Sequence, residues 1–122
     1  MTGSDDSLTG KRILIIEDES LIGLFLQDTL QEIGCEVVGM VSRLEEAERA
    51  ISASFDIAIL DVNLNGSRTY SIAEALDKRG SAFIFSTGYD VGVLPTTLQQ
   101  TPVLRKPFIK AELEQALRKA LR

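Results

Sequence analysis

The chain has 122 residues, 44% of them hydrophobic and 25% charged, and 13 basic against 18 acidic side chains leave a formal net charge of −5. This is one domain's worth of chain, able to bury about two-thirds of the surface it exposes when unfolded. The acidic balance argues against a broad nucleic-acid footprint, a single cysteine excludes an intrachain disulfide, and no apolar run reaches the ~18 residues of a bilayer span.

Met1 to Gly10 is polar, carries Asp5 and Asp6, and is unlike a signal peptide. It is expected to be a disordered lead-in to a domain running from Lys11 to Arg122, in a reducing, cytoplasmic setting. Ile13 to Ile16 is then a short, unbroken apolar run without polar alternation, the pattern of a strand buried on both faces. Leu21, Leu24 or Phe25, Leu26, Leu30 and Ile33 follow at helical spacing, with Ser20 as N-cap and Gly34 as terminator. Cys35, just after that glycine, reads as a structural thiol.

A second apolar run, Val37 to Val41, leads into a helical stripe of Leu44, Ala47, Ala50 and Ile51, with Ser42 as cap and Glu45 and Glu46 in the first turn. The third run, Ile57 to Leu60, passes through a turn-like Asp-Val-Asn-Leu-Asn-Gly stretch to a stripe of Ile72, Ala73, Ala75 and Leu76 that ends before Gly80. Ala82 to Phe85 is the fourth run. Between Tyr89 and Gln100 the helical signal is poor, because Gly92 and Pro95 interrupt it, and any helix there is expected to be short. A weaker fifth run at Val103-Leu104 precedes the clearest stripe, Ile109, Leu113, Ala116, Leu117 and Ala120, with Arg118, Lys119 and Arg122 suiting a helix C-terminus.

Five alternations of strand and helix with short connections predict an α/β fold, a (βα)5 doubly wound parallel sheet. Such sheets bind ligands outside the carboxyl ends of their strands. Those ends carry Glu17, Asp18 and Glu19; Asp61 with Asn63; Thr87 and Gly88; and Lys106 with Pro107. Asp18 and Asp61, on strands expected to be neighbours, would repel unless a cation sat between them or one took up a proton. Mg²⁺ suits one or two carboxylates, waters and a phosphoryl oxygen. A carboxylate beside it can act as a nucleophile toward phosphorus, with Lys106 supplying positive charge and the Thr87 hydroxyl a hydrogen bond. Each group alone is ordinary for a turn or a cap; their arrival at four separate strand ends is not.

The segments ILIIEDE, IAILDVNLNG, FSTGYD and LRKPF, in this order and spacing, resemble the four signature regions of response-regulator receiver domains, the phosphorylation switches of two-component signalling. The resemblance covers Lys11 to Arg122 and implies the flavodoxin-like strand order 2-1-3-4-5. It places the phosphoacceptor at Asp61, and assigns Mg²⁺ to Glu17, Asp18, Asp61 and the backbone carbonyl of Asn63. Thr87 matches the switch hydroxyl, Lys106 the ion-pairing lysine, and Pro107 the proline that follows a cis peptide bond. The implied partners are a sensor histidine kinase or histidine phosphotransfer protein upstream, and a downstream protein on the face of the fourth helix, fifth strand and fifth helix, with Phe108 as part of it. The chain departs from the family at Val103, where an aromatic residue usually stands. The FSTGYD stretch loosely resembles a subgroup with a Phe-Ala-Thr-Gly-x-Tyr signature, which lacks that aromatic. Tyr89, or motion of the 90–100 segment, is expected to replace the aromatic relay. Gly88 would leave room for the phosphoryl group, and Tyr89 would lean over the site to restrict water.

An aspartyl-phosphate phosphatase of the haloacid-dehalogenase type would carry its nucleophile after the first strand and a second Asp two residues on, where this chain has Asn63. A pseudo-receiver would lack the acceptor or the lysine, and a nucleotide-binding flavodoxin-like module would need a glycine-rich loop after the first strand. No DNA-reading motif fits after the last stripe, so a stand-alone receiver acting by protein contact, with neither nucleic acid nor membrane as partner, is the expectation; a domain of a longer regulator or hybrid kinase would read the same.

Overall fold

The five apolar runs become five parallel strands, and the computed structural model describes residues 8–88 and 94–121 of the chain. In chain order the elements are β1 (Arg12–Ile16), α1 (Ser20–Ile33), β2 (Glu36–Val41), α2 (Leu44–Ala50), β3 (Ile57–Asp61), β4 (Asn63–Leu64), β5 (Ser67–Arg68), α3 (Tyr70–Lys78), β6 (Ala82–Thr87), a 3-10 turn (Thr96–Leu98), β7 (Val103–Arg105) and α4 (Lys110–Ala120). The main sheet has the order β2-β1-β3-β6-β7, which is 2-1-3-4-5 among its own strands, and every pairing in it is parallel.

The period-2 alternation of a strand sorts the apolar side chains onto two faces. Leu14, Ile16, Ala58, Leu60, Phe83 and Phe85 join Ala47 of α2 and Ile72, Ala73 and Leu76 of α3 in one core. Ile13, Ile15, Ile57, Ile59, Ile84 and Leu104 join Leu26 and Leu30 of α1 and Leu113 and Leu117 of α4 in the other. Only the central strands are buried along their length; the expectation that Val37 to Val41 would be covered on both faces fails because β2 lies at the sheet's edge, half exposed.

The helices begin and face differently from their sequence patterns in several places. Glu19 and Arg43, not Ser20 and Ser42, take the N-cap positions of α1 and α2, and neither makes a side-chain cap. In α1 the buried positions are Gly23, Leu26, Thr29 and Leu30, while Leu21, Leu24 and Phe25 are exposed. Apolar residues on both sides of α1 made the stripe ambiguous, and contact with the sheet selects one. Ala75 of α3 is exposed, and Ile109 precedes α4, where its N–H donates to Glu112 Oε1 at 3.0 Å. Gly34 ends α1 as expected, with φ 103° and its N–H on the carbonyls of Leu30 and Gln31. Gly34→Ala is expected to cost about 1–2 kcal/mol by urea denaturation, because this φ and not space is the constraint; an unchanged midpoint would show that the helix end relaxes freely.

Leu8 to Gly10, assigned with the lead-in by composition, belong to the packed domain. Leu8 is 2% exposed in the α1–α4 core, its carbonyl accepts the Cys35 thiol at 3.3 Å, and the Gly10 N–H donates to the Gly34 carbonyl at 2.8 Å. One leucine with a place to bury outweighs the polarity of its neighbours. The remainder of the lead-in, residues 1–7, lies outside the described residues. Burial, with Glu114 nearby, pushes the Cys35 thiol up, in keeping with an inert structural role.

Candidate functional site

Parallel strands in register end together, so the residues just beyond β1, β3, β6 and β7 meet at one edge of the sheet. One carboxylate oxygen from each of Glu17, Asp18, Glu19 and Asp61 lies within 4.8 Å of the others. Asp61 closes β3, Thr87 closes β6, and Lys106 follows β7 with its N–H on the Thr87 carbonyl at 2.8 Å. The Lys106–Pro107 peptide bond is cis. Asp18, Asp61, Asn65, Gly88 and Lys106 border a cleft of about 420 Å³. Among the described residues, a Cβ built on Gly88 would have only the Lys106 stem nearby, at 4.0 Å.

Lys106 is the electrostatic centre. Its Nζ lies 2.9 Å from Glu17 Oε1, 3.2 Å from Asp61 Oδ2 and 3.3 Å from Glu19 Oε1. Burial alone would lower its pKa, and the carboxylates of Glu17 and Asp61 outweigh that and raise it. Glu17 is 4% exposed, and burial pushes its pKa up to about 7; Lys106 pulls it down while neighbouring Asp61 pushes it further up. One ammonium therefore faces more carboxylate than it can neutralise. Glu17 Oε1 is buried and, despite its ion pair, has no hydrogen-bonding partner among the described residues. The excess of negative charge and this oxygen's free lone pair fit a hard divalent cation.

The loop after β3 holds the backbone and carboxylate of Asp61. The Asn63 N–H donates to Asp61 Oδ1 at 3.1 Å, and the buried Thr69 hydroxyl donates to the Asp61 carbonyl at 2.6 Å. Thr69 stands at the N-cap of α3 without capping it, so its hydroxyl ties the loop to β3. Sequence reasoning gave Thr69 no role, and nothing but its place before a helix marked it. It also passed over the β4–β5 hairpin, whose Asn65 N–H donates to Asp18 Oδ2 at 2.8 Å. The Asn65-Gly66 pair was the available signal.

The structure brings Asp18, Asp61, Asn63, Gly88 and Lys106 around one cleft, holds the buried Glu17 carboxylate beside Asp61 and Lys106, and sets Thr87, 1% exposed, at the adjoining strand end. It does not bring Pro107 or Val103 to the cleft's lining. Val103 packs half-buried against the Phe85 side of the sheet and borders a separate groove of about 720 Å³ between β7 and α4. Phe108, expected on the output face, is 7% exposed and packs its ring against Phe25 at 5.5 Å, on the α1 side; a large apolar ring beside an open core edge turns inward. Tyr89 lies outside the described residues, as does 90–93 of the segment expected as the alternative relay. From 94 to 100 the chain holds only the 3-10 turn, with Leu98 fully buried.

No protein-family model matches the chain. Among solved structures it is similar to SdrG from Sphingomonas melonis Fr1, with 37% identity and a TM-score of 0.81 over 96% of this chain and 100% of that one. It is also similar to the response regulator TrrA from Thermotoga maritima in complex with Mg²⁺-BeF, with 29% identity and a TM-score of 0.78 over 91% and 99% of the two chains. The transcriptional activator protein IrlR of Burkholderia pseudomallei is 33% identical over 115 residues, 91% of this chain and 50% of IrlR. The chain thus spans about half the length of the curated relatives it matches.

Proposed function

The chain belongs to the receiver domains of response regulators, phosphoacceptor switches of two-component signalling, and we propose that in this one the phosphoryl group is accepted by Asp61. The observation that carries the reading is the Lys106 ammonium, held at 3.2 Å from Asp61 Oδ2 beside three further carboxylates at the end of the sheet. An Asp61 oxygen attacks phosphorus, the new O–P bond forms as the N–P bond of a phosphohistidine breaks, and the imidazole leaves. Glu17, Asp18, Asp61 and the Asn63 carbonyl would hold Mg²⁺, which when bound neutralises charge on the transferring group. Lys106 keeps its positive charge beside Asp61 and Glu17, and Gly88 leaves space for the phosphoryl oxygens. The Asn63 N–H on Asp61 Oδ1 leaves Oδ2 as the oxygen facing Lys106.

The donor class is a sensor histidine kinase or a histidine phosphotransfer protein, and the output is a conformational state read by a downstream protein. A bound phosphoryl group shifts that equilibrium by the contacts it makes in one state and not the other, with Thr87 as the hydroxyl that follows it. Hydrolysis of the acyl phosphate by the domain itself resets the switch. Among the described residues, no helix is long and apolar enough to cross a membrane.

Incubation with a small phosphodonor and Mg²⁺ is expected to label the chain at one residue, within the peptide 57–69, and chelation of Mg²⁺ to prevent it. Mass mapping that places the label anywhere but Asp61 would remove the assignment. Sustained turnover of an added phosphomonoester would favour a phosphatase instead.

A further inference from the structure

Beyond the backbone of Asn63, the β4–β5 hairpin has no part in the phosphoryl chemistry above, yet its tip touches the acid cluster. Its turn residues Asn65 and Gly66 have φ 50° and 92°, the two positive values of a type I′ turn, for which Asn-Gly is a favoured sequence. The turn is fixed from three sides. Asn63 and Leu64 pair antiparallel with Arg68 and Ser67, the Gly66 N–H donates to Asn63 Oδ1 at 2.8 Å, and Leu64 is buried in the core at 2% exposure. So anchored, the tip presents the Asn65 N–H to Asp18 Oδ2 at 2.8 Å, across 47 positions of sequence.

A directed donor on Oδ2 works against two-oxygen chelation, in which both carboxylate oxygens must turn to the same ion. It leaves Oδ1 as the oxygen able to face a cation. Mg²⁺ is small and octahedral and is content with one oxygen from each carboxylate, whereas Ca²⁺ takes six to eight oxygens and readily uses carboxylates in bidentate fashion. We propose that the β4–β5 hairpin is the cation-selectivity element of this site: by holding Asp18 through the Asn65 N–H, it makes Asp18 a one-oxygen ligand that suits Mg²⁺ and disfavours Ca²⁺. The inference rests on the reading of the acid cluster as a divalent-cation site. It assigns to Asn63 a second, positioning role through its carboxamide, beside the backbone carbonyl.

The test is calorimetric titration of the intact chain and its variants with Mg²⁺ alone and with Ca²⁺ alone. Among the described residues nothing lies within 4 Å of a Cβ built on Gly66, so Gly66→Val disturbs the turn through its φ and not through a clash. Asn63→Ala removes the acceptor of the Gly66 N–H. Both variants are expected to bind Mg²⁺ about tenfold more weakly, the scale of an outer-shell loss, while Ca²⁺ binding holds or rises. Gly66→Asn, which tolerates positive φ, is expected to keep the preference. Equal weakening toward both ions, or an unchanged ratio, would overturn the selectivity role while leaving the cation site standing. Absence of Mg²⁺ binding to the unaltered chain would overturn the site itself. Melting curves report folding, and should Gly66→Val not fold, Asn63→Ala decides.

Discussion

Asp61→Asn is expected to abolish Mg²⁺-dependent labelling by a small phosphodonor, a loss of at least ~10³-fold, the order seen when an enzyme's nucleophile is removed. The amide keeps the shape of the side chain and can still accept the Asn63 N–H, so β3 and its loop have no reason to move. It loses the charge that makes the oxygen a nucleophile. Stability should move the other way. Asp61 is one of the causes that raise the Glu17 pKa, so the neutral side chain relieves a crowded pair of carboxylates around one ammonium. A Tm equal to or above that of the unaltered chain at pH 8, together with no label, is the expected pairing. Label retained at unaltered rate would remove Asp61 from its role; label lost along with the fold would leave the decision to residue mapping in the unaltered chain.

Lys106→Met should have the largest effect on stability. The ammonium lies among Glu17, Glu19 and Asp61, and two of those side chains are buried, at 1% and 8% exposure. Removing it leaves buried carboxylates without a counter-charge, a change that typically costs about 3–5 kcal/mol. The cost depends on pH, with a definite sign. In the folded chain Glu17 titrates at about 7, above its ordinary 4.5, so the folded state binds a proton that the unfolded state has released. The stability carried by that proton is complete below about 4.5 and is lost as pH rises through 7. Lys106 is the influence that lowers the Glu17 value, so without it the proton is held more tightly and its loss costs more. The Tm deficit of Lys106→Met should therefore be small near pH 5 and large at pH 8. Millimolar Mg²⁺ should recover part of it at pH 8, by returning positive charge to the same carboxylates. A deficit independent of pH would show that Lys106 acts through packing of its stem and not through charge.

Much of the site was legible because parallel strands translate sequence into place. Asp61 follows an apolar run directly and Thr87 and Lys106 one residue beyond theirs, and any doubly wound sheet sends such residues to the same edge. What the sequence hid were contacts between side chain and backbone across long separations. Thr69 on the Asp61 carbonyl and the Asn65 N–H on Asp18 depend on how the loop after β3 folds back, and no spacing rule encodes that. The helix faces were legible only where the apolar stripe was narrow. α4 buries Leu113 and Leu117 as its pattern predicts, whereas α1 carries more apolar residues than one face can cover, and Leu21, Leu24 and Phe25 remain outside.

By itself, then, the sequence determined the α/β alternation, the strand order through family resemblance, and the chemical inventory at the strand ends, because these depend on periodicity and on residue type. The tertiary structure alone decided how the charges share Lys106, which face of α1 is buried, that Phe108 turns inward against Phe25, and that Leu8 joins the core. Each of those is settled by competition for a limited buried volume or a limited positive charge among residues far apart in the chain, and only the assembled fold sets the competitors side by side.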